Sequence, residues 1–432
     1  ERVMKKFFIV ALVSLVCLGL TMPAVAKIKV GGMITQDVTY FNMDDSRVRS
    51  QATFAGAGVP AFPVVAANPD SSFANTDMRL PQPFNRINVA YSNDDNTIRG
   101  FTEIRGGTNA GGGIDVLDTP GNMSAFVWNY AWIDWVLSPN DFIRFGRQTQ
   151  AFAIRAPSQM VGSARGHVVG NGFGNIHGGT SRDGVRWYHT FNDTVQLEVM
   201  LLDPDNDGAE AIGAFSAQVI GGATANVLEE NAIPRIDVAL PLNFGSVRLW
   251  PSVTYLQQQY DQTGPGREDT VDIWGIALGG QVKAGPLTFD AEITYGKNLA
   301  NGNYVGAAQG SGAGGAAGFS ANAALVGNDS INDSKITAWW LDVGWKIGPA
   351  TIHGIVGSSN FKREDDITAG GTNIDQTTWM YGVSIPIAVA KGFTIRPEIM
   401  GYDLDTGATV GNTTERDFGK EYIVGVQFML VF

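Results

Sequence analysis

Short and long connections alternate without exception along this chain. Seven are short: Ser92-Asn93-Asp94-Asp95-Asn96, Ser138-Pro139-Asn140-Asp141, Asn192-Asp193, Asn243-Phe244-Gly245, Ala284-Gly285-Pro286, Ile347-Gly348-Pro349 and Ala390-Lys391-Gly392. Each is built from the Asn, Asp, Gly and Pro residues that tight hairpins need. Eight are long and polar or Gly-rich, near 42–82, 106–123, 153–183, 204–231, 260–269, 298–334, 361–373 and 403–417. One strand-like stretch separates each connection from the next. Such an order makes the strands run up and down, with every turn at one rim and every loop at the other. It predicts an all-β chain of about 16 antiparallel strands. An even number brings the last strand back beside the first.

The strands carry a period of two. Counting back from the terminus, Phe432, Leu430, Phe428, Val426, Val424 and Tyr422 share one face, while Gln427, Gly425 and Glu421 lie on the other. In the first strand Ile28, Val30, Ile34, Val38 and Tyr40 oppose Lys27, Lys29, Thr35, Asp37 and Thr39. Arg86 and Asn88 oppose Ile87, Val89 and Tyr91; Arg99, Glu103 and Arg105 oppose Ile98, Gly100, Thr102 and Ile104. A charge on the lipid face of a barrel costs about 2–4 kcal/mol at mid-depth, so the charged faces mark a wet interior. Trp128, Tyr130, Trp132, Trp135, Trp250, Tyr255, Trp339, Trp340, Trp345, Trp379 and Tyr381 cluster near strand ends, as an interfacial girdle would.

Residues 1–26 read as a secretory signal, with 1–3 upstream of Met4. Lys5 and Lys6 precede an apolar stretch from Phe7 to Leu20, and Ala24-Val25-Ala26 is a small-x-small cleavage site. The mature chain is then expected to be 27–432. Cys17 is the one cysteine. Val16 before it is not the small residue of a lipoprotein signal, so Cys17 leaves with the signal, and disulfides and thiolate chemistry leave with it. From Lys27 onward no run reaches the roughly 18 apolar residues of a spanning helix. Only a closed barrel could place the rest in a membrane. The net charge of −12 argues against a nucleic-acid partner.

In architecture the mature chain resembles the 16-stranded, homotrimeric general porins of Gram-negative outer membranes. The sharpest local likeness is Ala131-Trp132-Ile133-Asp134-Trp135, a short turn, then Phe142-Ile143-Arg144-Phe145-Gly146-Arg147-Gln148. It resembles the porin segment in which a strand ending Gly-Arg-Gln or Gly-Arg-Asn enters the loop that folds into the pore. The resemblance implies a multi-pass protein of the outer membrane, in contact with its lipid and lipopolysaccharide and inserted by the barrel-assembly machinery. It implies a homotrimer passing small hydrophilic solutes by diffusion. Tyr422, Phe428 and Phe432 would belong to the assembly signal of the last strand.

By the same resemblance, 153–183 is the constriction loop. It carries Arg155, Arg165, His167, His177 and Arg182, with no acid until Asp183. Cation-preferring members of the family carry acids on this loop, so the chain departs from them. The expected constriction residues are Arg147, Arg155, Arg165, His167, Arg182 and Asp183, with Arg86, Arg99, Glu103 and Arg105 on the wall. Two readings stand: a net-positive narrow zone that favours anions, or arginines neutralised by barrel carboxylates such as Glu103. Arg144 and Arg147 cannot share a face of an unbroken strand. A bulge at Gly146 or an Arg147 above the membrane would solve this, and the resemblance favours Arg147 in the pore.

Asp203, Asp205 and Asp207, followed by Gly208, space carboxylates as calcium loops do. Ala214 stands where an EF-hand needs Glu, which leaves a calcium site of another kind or a solvated acidic loop. No cofactor is required. There is no Gly-x-Ser-x-Gly elbow, and His167, His177, His189 and His353 assemble no triad from spacing, so enzymatic chemistry is not expected. Besides a diffusion channel, the alternative is a substrate-specific channel for small anions or carboxylates.

Overall fold

The computed structural model describes residues 27–43, 73–79, 85–106, 126–159, 181–203, 228–230, 233–261, 270–299, 324–326, 330–363, 372–403, 408–410 and 420–432. The signal segment and most of the long loops lie outside these residues.

Sixteen antiparallel strands form one closed sheet. They are β1 (Lys27–Met43), β2 (Phe73–Arg79 and Arg86–Ser92), β3 (Ile98–Gly106), β4 (Phe126–Val136), β5 (Asp141–Thr149) and β6 (Ser181–Thr190). Then come β7 (Gln196–Leu202), β8 (Arg235–Ala239, extended by Leu242–Asn243), β9 (Val247–Asp261), β10 (Thr270–Ala284) and β11 (Leu287–Lys297). The last are β12 (Ser334–Ile347), β13 (Ala350–Arg363), β14 (Thr372–Ser384, extended by Ile387–Ala390), β15 (Phe393–Asp403) and β16 (Lys420–Val431). All seven short turns fall where the turn chemistry puts them. Asn96, Gly245, Gly285, Gly348 and Gly392 occupy positive φ there, the backbone state that Asn and Gly tolerate best.

The sheet closes by pairing β1 with β16, Met33–Met43 against Val431–Glu421. At the seam Gly32 and Phe432 exchange two backbone hydrogen bonds, of 2.9 and 3.1 Å. A Cβ on Gly32 would sit 2.5 Å from Phe432 Cζ and 2.6 Å from the Arg86 carbonyl oxygen. No side chain fits between the seam and β2. Gly32→Val is therefore expected to lower the yield of closed barrel sharply, read as loss of the heat-modifiable compact band on a gel. A normal compact band would refute this account of the seam.

The period-two pattern sorts cleanly. Ile28, Val30, Ile34 and Tyr40 are exposed on the outer face, as are Ile133, Phe145, Ile293, Ile399, Val424 and Leu430. A continuous apolar exterior on a closed sheet is stable only against lipid. Trp128 and Trp135, at opposite ends of β4, lie on that face, as do Trp345 and Tyr381. Three tryptophans expected in the girdle do not. Trp132, Trp250 and Trp340 fall on the parity of Asp134, Ser252 and Asp342, which is the interior. Their position near a strand end suggested the girdle; their side of the strand decides against it.

The one break in the wall near the Gly146 question lies in β4. The β3–β4 register shifts between Glu103 and Ile104, and the extra residue, Asn129, donates its amide to Glu103. Around Gly146 the pairing runs unbroken to both neighbours, but φ is +107°. The bulge considered at Gly146 is therefore not formed; the backbone turns there through the positive φ that glycine allows, without a register slip. Past it, the Thr149 hydroxyl meets the hydroxyl of Tyr130 at 3.3 Å, while Arg147 meets Asp183 at 3.4 Å.

Candidate pore constriction

The chain leaving β5 turns inward and runs along the inside of the barrel. Between 150 and 159 it is tied to one wall strand after another. Gln150 accepts from Arg235 Nη2 at 2.9 Å, and the Ala151 amide donates to Asp237 Oδ2 at 3.2 Å, both on β8. The Ala153 amide donates to Ser252 Oγ of β9 at 3.2 Å. The Arg155 amide donates to Glu292 Oε2 of β11 at 3.1 Å. The Ser158 amide donates to Asp342 Oδ2 of β12 at 2.7 Å, and Arg396 of β15 donates to the Gln159 carbonyl. An extended segment has no ladder of its own to satisfy these amides, and three wall carboxylates and the Ser252 hydroxyl supply the acceptors instead.

Inward-facing glycines make room for the segment. A Cβ on Gly275 would lie 2.7 Å from the ring of Phe152, and one on Gly279 would lie 2.7 Å from Arg155 Cγ. Both are in β10, which the loop crosses between its ties to β9 and β11. Phe152 is fully buried there.

Arg155 binds this wall rather than facing open water. Its guanidinium forms a two-pronged ion pair with Asp290 and lies 4.3 Å from the Trp250 ring centre. The charge expected to make the loop basic is neutralised at this position. Arg165, His167 and His177 lie outside the described residues. Arg182 and Asp183 belong to wall strand β6, paired with Gln148 and Arg147 of β5, not to the loop. Asp203 follows β7, its amide donating to the Asp183 carbonyl at 2.9 Å; Asp205 and Asp207 lie outside the described residues.

The wall from β2 to β7 holds most of the arginines of the described strands. Arg99, Asp134, Arg144 and Arg186 stand directly across from one another on four successive strands, β3 to β6. Asp134 is nearly inaccessible and takes two cations, Arg144 at 2.7 Å and Arg99 at 3.1 Å. Arg186 pairs with Glu198. Arg86 meets Glu103 at 3.3 Å, and Arg86 and Arg147 each lie close enough to act on the charge of Arg105. On this wall arginines outnumber carboxylates. The excess is clearest at Asp134, where one anion serves two guanidinium groups.

No protein-family model and no curated protein matches the chain. Solved structures do. The outer-membrane channel DcaP of Acinetobacter baumannii superimposes with a TM-score of 0.62 at 13% identity, over 95% of this chain and 98% of that one. The fold is that of the outer-membrane porins. A trimer form of OmpT, an outer-membrane protein of Vibrio cholerae, matches at 0.51 with 9% identity, over 94% and 100% of the two chains. An anion-selective porin from Comamonas acidovorans matches at 0.51 with 10% identity, again over 94% and 100%. At such identities the likeness is one of fold. It carries no residue of those porins onto this chain.

Sequence reasoning missed the anchors Asp237, Asp290, Glu292 and Asp342. Each is an interior-parity carboxylate, and each lies four to six residues from a short turn. That shared depth on nearby strands was a usable signal.

Proposed function

We propose that this protein is an outer-membrane diffusion channel for small hydrophilic solutes, working as a homotrimer and preferring anions. The observation that carries the preference is the division of charge across the lumen. The inward segment neutralises its own Arg155 against the β11 wall. The wall from β2 to β7 holds Arg99 and Arg144 on the single carboxylate of Asp134. Both features lie a few residues above the short turns, so a passing ion meets them together. In a narrow water-filled passage the nearest fixed charges set selectivity. Acids on external loops act across more than a Debye length of about 8–10 Å and count for little, which is why a net charge of −12 does not decide the sign. The trimer form of one fold neighbour and the anion selectivity of another agree with this reading.

The test is the reversal potential of single channels in a potassium chloride gradient. A potential of the sign carried by chloride is expected, growing as salt is lowered. A cation-selective wild-type channel would overturn the preference and leave the diffusion channel standing.

A further inference from the structure

The arginines of the β2 to β7 wall do more than supply charge: they are held against a pair of stacked rings. Phe142 and Tyr188, on adjacent strands, lie 4.1 Å apart between ring centres and only 14° from parallel. No guanidinium fits between rings so close. Arg99 lies over Phe142 at 4.7 Å from its centre, Arg186 over Tyr188 at 4.7 Å, and Arg144 reaches both rings, at 5.9 and 5.4 Å. Across the strands the groups run Arg99, Phe142, Tyr188, Arg186, with Arg144 beside the ring pair. Arg186 is buried and paired with Glu198, which finishes that end. Arg99 ends the other side with its side chain 39% exposed and its inner face on Phe142. Among the described residues, Arg99 is the exposed end of this stack. The edges of Arg99 and Arg144 meet at Asp134, the one carboxylate among the described residues that pairs with both.

We propose that this stack is a binding subsite for planar aromatic carboxylates. The solute ring lies on the open face of Arg99, as rings lie on guanidinium planes generally. Its carboxylate takes the donor edges of Arg99 and Arg144 that one Asp134 leaves incompletely satisfied. A spherical ion such as chloride uses only the charge, and a saturated carboxylate uses charge and donors without the stack. The channel then does two things at one place. It passes small anions by diffusion, and it retains flat ones long enough to saturate. This deepens the anion-preferring reading given above and rests on it.

The experiment compares benzoate with cyclohexanecarboxylate, which has the same charge and nearly the same size but no flat face. Each is titrated against the chloride current of single channels, and the half-blocking concentration is read. Benzoate is expected to block at about three- to fivefold lower concentration, the effect of one exposed cation–ring contact. Arg99→Lys keeps the charge but removes the plane, and should bring the ratio to about one. The compact heat-modifiable band verifies that the variant is folded. Equal block by the two acids in an anion-preferring wild-type channel overturns the subsite and spares the preference. A ratio that survives in Arg99→Lys also overturns it, because the stack would then lie elsewhere. A wild-type channel that prefers cations overturns the reading on which the subsite rests.

Discussion

Replacing Asp237 by alanine is expected to destabilise the barrel by about 3–5 kcal/mol, because it strands a buried cation. Asp237 is fully buried and Arg235 is 1% exposed. The carboxylate receives Arg235 Nε at 3.0 Å and Nη2 at 3.1 Å, the Thr254 hydroxyl at 2.7 Å and the Ala151 amide. Four donors meet at one group, and one of them is the first amide of the inward segment. Its loss takes this carboxylate away from the buried Arg235 guanidinium and frees the start of the segment. The urea midpoint of the folded barrel in detergent should fall, and the single-channel current should become larger and noisier. A second variant separates the two effects. Arg235→Leu with Asp237→Leu removes both charges, so most of the stability should return. The Ala151 amide still lacks its acceptor, so the altered current should remain. An unchanged midpoint in Asp237→Ala would show that the pair is not buried as described. A normal current in the double variant would show that Asp237 does not position the segment.

What could be read from the sequence was what depends on near neighbours. The seven turns were legible because Gly285, Gly348, Gly392 and Asn96 carry their backbone requirement in their own identity. Strand faces were legible because side-chain direction alternates by covalent geometry. The site was less so, because its pairs join residues far apart in the chain. Nothing near Arg155 announces Asp290, 135 positions away, or that Ser158 will donate to Asp342, 184 positions away. A loop with cations and no nearby acid therefore read as a basic loop, although its acids come from the opposite half of the chain. Aromatics failed for a related reason. Trp132 and Trp135 look alike in sequence, but three residues apart on a strand places them on opposite faces: one under Arg144 at 3.6 Å, the other out in the lipid belt. Strict parity, applied before the expectation of a girdle, would have separated them. Gly275 and Gly279 were a further unused signal. Glycines on an interior face weaken a strand unless something packs close against it, and here the inward segment does.

The double replacement Arg99→Ala, Arg144→Ala is expected to swing selectivity toward cations, and the single replacement Asp134→Asn to push it the other way. The three side chains form one unit, with one carboxylate between two guanidinium groups. Removing both arginines takes away two positive charges and uncovers a negative one. Neutralising Asp134 leaves two cations with no anion between them. In a water-filled passage a unit charge about 8 Å from a passing ion is worth about 0.5 kcal/mol, or a permeability change of about two- to threefold. Two such charges give about fivefold. Nearby pairs should not mask the change, since Arg186 with Glu198 and Arg86 with Glu103 are each internally neutral. Screening supplies the control. The Debye length falls to about 3 Å at 1 M salt, so the shift should shrink there and grow at 0.1 M. Reversal potentials for the three proteins at both salts decide the matter. Opposite shifts that collapse at high salt place these charges beside the ion path. Shifts of the same sign in both variants would mean that the loss of Asp134 had rearranged the wall. No shift at low salt would put the narrow zone elsewhere in the barrel.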